Sequence, residues 1–208
     1  MSAICLVTGF AHFGTNVVYE PNPSGEIAEE LNGKSVGGCR IHGIVLPVEF
    51  PRASEMLVRL LEELDPALVV SMGLYSPGGS HVRVEVAAVN AYWDGSRLRK
   101  VVDDAPLGEP IRIPVDPVHV ARVLNETGLR ARPSASIGLY LCNVVAYLVY
   151  RWGWRKGRPS VFLHLPWSTR LEERLRERRE GVPVWLLREG VERLIAALGA
   201  GKNGNTSA

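Results

Sequence analysis

A cysteine, a histidine and a glutamate in one chain can supply a nucleophile, the base that takes its proton and a group that orients the base. The cysteine is Cys142, in Ile137-Gly-Leu-Tyr-Leu-Cys-Asn-Val-Val-Ala-Tyr-Leu-Val-Tyr150. One apolar segment breaks at Gly138 and another begins at the thiol, so Cys142 falls near the start of a predicted helix. The free N–H groups and dipole at such a start favour a thiolate. A free cysteine more often fills a core as a small hydrophobe, so its partners decide its role. His164 ends the apolar strand Ser160-Val-Phe-Leu-His-Leu165, just before Pro166. A polar ring among Phe162, Leu163 and Leu165 costs free energy unless something pairs with it. Glu85 sits in the valine-rich run His81-Val-Arg-Val-Glu-Val86. It either pairs with another group or faces solvent on an edge strand, and spacing alone leaves both open.

These side chains need elements to carry them. Ile4–Thr8 and Ala67–Met72 read as short buried strands that end at glycines, Gly9 and Gly73. Arg40–Pro47 alternates as a strand, and Ser160–Leu165 is another. Helices are predicted from Asn22-Pro-Ser24 to about Leu31, with Asn22 or Ser24 as cap, and from Pro51 to Leu64. Further helices are predicted at Val118–Leu124, from Cys142 to about Trp152 and over Val184–Leu198. His81–Asn90 reads as one alternating strand with His81, Arg83 and Glu85 on a single face. Residues 91–117 form a turn-rich excursion with a hairpin near Asp94-Gly95, and Pro133–Ile137 a short strand. Strands alternating with helices predict an α/β fold: a single domain over 1–200, with a twisted, mostly parallel sheet and helices on both faces. Lys202–Ala208 is expected to be a disordered tail. In such sheets ligands bind where loops leave the C-terminal strand ends, which puts the Cys142 loop, His164 and Phe10-Ala-His-Phe-Gly14 on one edge.

Composition excludes several functions. A formal charge of +2 over 208 residues and the absence of a dense basic cluster argue against nucleic acid. Arg174–Arg179 is the most basic run, but glutamates interrupt it, which predicts a solvated helix face with internal ion pairs. No apolar stretch is long enough for a bilayer. HExxH, paired CxxC, P-loop and GxGxxG motifs are absent, and Cys39 and His42 lack a second ligand pair, so neither metal nor nucleotide chemistry is indicated. Three cysteines at unrelated spacings suggest no disulfide framework, and without a basic leader a reducing cytoplasm is expected. The chain has no glutamine and far more arginine than lysine; loss of a thermolabile amide residue fits a thermophile, while the arginine excess fits codon bias equally well.

Several segments together resemble the pyroglutamyl-peptidase I (pyrrolidone-carboxylate peptidase) family of cysteine peptidases. Thr8-Gly-Phe-Ala-His-Phe-Gly14 is similar to TGFxPFG, and Asn22-Pro-Ser24 to the NPS that follows it. Val84-Glu-Val-Ala-Ala-Val-Asn90 is similar to ERxAxN, Gly138-Leu-Tyr-Leu-Cys-Asn143 to GxYxCN, and Phe162-Leu-His-Leu-Pro166 to F(I/V)H(V/I)P. The resemblance implies a triad of Cys142, His164 and Glu85 that releases N-terminal pyroglutamate through a thioester, with no metal or organic cofactor. It further implies substrate binding by Phe10, Phe13 and Asn22, and assembly as a dimer or tetramer. Two departures bear on activity. His12 replaces the proline of the first motif, and Val86 replaces the arginine that commonly follows the glutamate. Arg83, on the same strand face as Glu85, is a candidate substitute. A divergent, catalytically weak or inactive family member that binds a small ligand or peptide is the alternative function. A phosphorylase-like transferase would need basic phosphate ligands, which the Leu74–Ser80 loop does not offer.

Overall fold

The computed structural model describes residues 3–199; the expected tail at Lys202–Ala208 lies outside them. The chain opens with β1 (Ala3–Phe10), α1 (Pro23–Leu31), β2 (Ser35–Val36), β3 (Cys39–Leu46), α2 (Arg52–Leu64) and β4 (Leu68–Leu74). β5 (His81–Glu85), β6 (Ala87–Val89), β7 (Tyr92–Trp93), β8 (Leu98–Arg99) and β9 (Pro110–Arg112) follow. The rest is α3 (Pro117–Asn125), β10 (Arg130–Ser134), α4 (Leu141–Lys156), β11 (Ser160–Leu165), α5 (Thr169–Leu175) and α6 (Val184–Gly199).

Every residue of β4 and β11 is buried, as strands covered by helices on both faces require. They lie at the middle of a seven-stranded sheet ordered β10-β5-β11-β4-β1-β3-β2. β11, β4, β1 and β3 run parallel. β5 runs antiparallel to β11 and parallel to β10, and β2 closes the other edge antiparallel to β3. α2 packs on α4, and α1 and α3 pack on α6, covering the two faces. The single α/β domain with a mostly parallel sheet is as the alternation of apolar runs predicts.

Four local expectations change. The alternating run from His81 breaks at Val86, which donates to Ser134 O and accepts from Ile113 N. The chain thereby passes from the main sheet into a β6–β9 ladder, a long-range pairing that alternation cannot show. The strand expected at Pro133–Ile137 lies earlier, at Arg130–Ser134, because pairing with β5 sets its bounds. The basic run after Arg174 is not a helix face: α5 stops at Leu175, with Arg176 left-handed, and Arg174 pairs across to Glu20. The hairpin at Asp94-Gly95 does form, as β7–β8.

The fourth change concerns the cysteines. Cys5 and Cys39 are joined by a disulfide, with Cα atoms 5.8 Å apart, where no pairing was expected. The parallel register of β1 on β3 sets Ala3 opposite Cys39 and so brings two sequence-distant residues together. A cross-link spanning 34 residues restricts the unfolded chain by about 4 kcal/mol. Denatured but unreduced protein should therefore titrate one thiol per chain, that of Cys142, and reduction or Cys39→Ser should lower unfolding stability by about that amount. Three titratable thiols before reduction would show that no bond forms.

Candidate active site

The C-terminal ends of β1, β4 and β11 bring Phe10, Leu74 and His164 to one edge of the sheet. There they line a cavity of about 360 Å³ together with Phe13, Asn22 and Cys142. The antiparallel strand β5 sets Arg83 directly opposite His164 and Val84 opposite Leu163, and carries Glu85 beneath the imidazole. Glu85 is fully buried and lies in a strand inside the sheet, not at its edge. The solvent-facing role is thereby excluded.

His164 Nδ1 lies 2.8 Å from Glu85 Oε1. The carboxylate also accepts from Ser134 Oγ at 3.1 Å and from the Ser136 backbone N–H at 3.2 Å. Tyr150 donates to the Glu85 carbonyl at 2.6 Å; burial holds its phenol well above the usual value, so it remains a donor. With Nδ1 engaged by Glu85, Nε2 is the ring nitrogen left free to face a thiol. Burial pulls the imidazole down, but the Cys142 hydrogen bond and charge, followed by those of Glu85, outweigh it and raise His164 to about 9.

Cys142 is the second residue of α4. Asn143 N closes the first turn on Tyr140 O at 3.0 Å, and the N–H groups of Leu141 and Cys142, ahead of that turn, have no partner within the helix. Free N–H groups at such a helix start can donate to an oxygen that develops negative charge beside the sulfur. Space for the thiol comes from Gly73, where a Cβ would stand 2.9 Å from Cys142 Sγ and 3.1 Å from the Phe162 ring.

Two asparagines hold the surroundings of Cys142, and sequence reasoning assigned neither a role. Asn143, fully buried, donates to Val89 O and Ala91 O and accepts from Val89 N, tying α4 to β6. Asn90 donates to the carbonyls of Val102, Ala105 and Pro106 and accepts from the N–H groups of Val101 and Val102. It gathers the excursion after β6 around one side chain. Their signal in the sequence was position alone, each closing a motif.

Asn22 lines the cavity, but most of its amide is used locally. It caps α1 by accepting from Ser24 N and Ser24 Oγ, and it donates to Ala11 O. Ser24 Oγ accepts in turn from Phe10 N. A Cβ on Gly9 would stand 1.9 Å from Ser24 O, so the glycine permits the close crossing that fixes Phe10. Phe13 stacks on Tyr19, centroids 4.9 Å apart.

The model of the family described as pyroglutamyl peptidase matches residues 3–202. The chain belongs to the pyroglutamyl peptidase family. It is 37% identical over 172 residues to the pyrrolidone-carboxylate peptidase of Pyrococcus furiosus, covering 78% of this chain and 80% of that one. Against the pyrrolidone-carboxylate peptidase of Halalkalibacterium halodurans it is 34% identical over 184 residues, covering 82% and 87%. The solved pyrrolidone carboxyl peptidase of Thermococcus litoralis superposes with a TM-score of 0.82 at 26% identity, over 99% of this chain and 97% of that one. Within this chain the motif segments 8–14, 22–24, 84–90, 138–143 and 162–166 converge on one cavity and its supports.

Proposed function

We propose that this chain is a cysteine exopeptidase that removes N-terminal pyroglutamyl residues from peptides, with Cys142 as nucleophile, His164 as general base and acid, and Glu85 as its orienting carboxylate. The observation that carries the assignment is the buried Glu85–His164 contact of 2.8 Å beside a thiol at a helix start, within a cavity lined by two phenylalanines. His164 accepts the Cys142 proton at Nε2, and the sulfur adds to the pyroglutamyl carbonyl. The imidazolium then protonates the leaving amine as the C–N bond breaks and the thioester forms. Water, deprotonated by the same nitrogen, adds to the thioester and expels the thiolate, releasing pyroglutamate. Phe10 and Phe13 offer apolar faces to a flat, uncharged lactam, whereas a free α-ammonium would lose its solvation there. Release of chromophore from a pyroglutamyl amide, in a thiol-dependent manner, tests the assignment. The weaker alternative, a ligand-binding relative without turnover, requires that release to be absent.

Arg83 supports the site from outside the cavity. Its guanidinium lies 3.7 Å from the Tyr75 ring centre, and Tyr75, which lines the cavity, meets His164 edge-on at 5.9 Å. This is a route by which Arg83 compensates for Val86. Removing a cation–π contact of this kind should lower kcat by about three- to tenfold in Arg83→Ala, with partial recovery in Arg83→Lys. Unchanged turnover and pH profile in the alanine variant would end the idea.

The enzyme is further proposed to act in the cytoplasm of a thermophile as a homo-oligomer, a dimer or tetramer, without membrane or nucleic-acid partners. No helix among the described residues is long and apolar enough to cross a membrane. The Cys5–Cys39 bond fits such a cell, because intracellular disulfides are a habit of hyperthermophiles. Exposed Trp154 and Trp185 are apolar surface of the kind that assembly covers. Sedimentation velocity gives the assembly size directly.

A further inference from the structure

The cavity has one closed end and one open side. Phe10, Leu74 and His164 are almost fully buried, whereas Tyr140, which also lines the cavity and stands two residues before Cys142, is 58% exposed. A pyroglutamyl group ends the peptide and carries nothing beyond its ring, so it takes the closed end while the rest of the peptide leaves through the open side.

On that side Tyr140 is not alone. Phe50 packs against it edge-on, centroids 5.4 Å apart, and Tyr92 stacks on Phe50 at 4.7 Å with 12° between planes. The Trp93 N–H donates to Leu139 O at 2.8 Å, which fastens the β7–β8 hairpin to the segment leading to the nucleophile. The three rings come from segments far apart in sequence, so no motif contains them together.

We propose that Tyr140, backed by Phe50 and Tyr92, forms a shelf that receives the side chain of the residue following pyroglutamate and favours an aromatic one. The occupant follows from continuity: the shelf begins on the cavity wall beside the thiol, where the leaving residue must pass. Its chemistry follows from the rings, which offer faces and edges to another ring and no charge to a carboxylate or ammonium. The proposal deepens the peptidase assignment and rests on it.

The test compares kcat/KM for pyroglutamyl-phenylalanine amide and pyroglutamyl-serine amide on the same enzyme. The wild type should prefer phenylalanine by about tenfold, the size expected of one good aromatic contact. Tyr140→Ala should bring that ratio close to unity, Tyr140→Phe should keep it, and Tyr92→Ala should reduce it in part. Taking a ratio removes any general loss of active protein. A wild-type ratio near one overturns the shelf, as does a Tyr140→Ala variant that slows both substrates equally. A Tyr92→Ala variant that changes the assembly size and keeps the ratio assigns the rings to contact between copies instead. Failure of the wild type to release either amide refutes the peptidase assignment itself, a different outcome from equal release of both.

Discussion

Cys142→Ala is expected to lower kcat/KM for a chromogenic pyroglutamyl amide by about 10⁵- to 10⁶-fold, the scale on which losing a triad nucleophile is felt. Cys142 is the free cysteine of the chain, since Cys5 and Cys39 are bonded to each other. Ser76 and Ser136 also line the cavity, but Cys142 is the cavity group that, with Glu85, raises the His164 pKa. The variant should still fold, because the thiol is a small group that the side chain of alanine nearly fills. It should bind free pyroglutamate and resist labelling by iodoacetamide, whereas the wild type is alkylated at this residue. A second readout follows from electrostatics. Cys142 is the largest of the influences that raise His164 to about 9, so removing it should lower the histidine pKa, as followed by NMR titration of the imidazole. Activity within tenfold of wild type would show that the sulfur is not the nucleophile.

Much of this architecture is legible in the sequence, because buried parallel strands and amphipathic helices write their burial into local patterns. β3, α2, β11 and α6 fall within a residue or two of expectation for that reason. The place of Cys142 at a helix start is legible too, since the break at Gly138, which takes a φ of 78°, precedes a long apolar run. What is not legible depends on contacts made across the sheet. Glu85 alternates with valines as a solvent-facing residue would, and only the antiparallel placement of β5 beside β11 makes it a buried partner of His164. The split at Val86 and the Cys5–Cys39 bond have the same origin in pairing between distant segments. Asn90 and Asn143 escape notice for a further reason. A buried amide that satisfies several carbonyls leaves no periodicity in the chain, only a polar residue beside apolar ones. Gly73 reads as a strand end, yet its function is the room it leaves for a sulfur atom carried by a helix nearly seventy residues later.

Glu85→Gln should cost about 10³- to 10⁴-fold in kcat/KM and, more tellingly, move the pH profile in one direction. The acylation step needs an imidazolium to protonate the leaving amine, so kcat/KM falls as pH rises through the His164 pKa of the free enzyme, about 9 in the wild type. Burial alone would depress that value, and Cys142 and then Glu85 hold it up. Glutamine keeps the shape but removes the negative charge, so the folded protein binds the imidazole proton less tightly and the alkaline limb must shift to lower pH. The rate loss at the optimum has a separate cause. A carboxylate can only accept at Nδ1, which fixes the proton there and leaves Nε2 to face the thiol; an amide can donate to Nδ1 and stabilise the wrong tautomer. The Ser136 N–H, which donates to Oε2 at 3.2 Å, would then hold the amide oxygen at that position and leave the amide N–H at the Oε1 position, facing the ring. A Glu85→Gln enzyme with a normal rate and an alkaline limb still near pH 9 would mean that the carboxylate only fills space. A limb displaced downward with the rate loss would identify it as the group that sets both the charge and the orientation of His164.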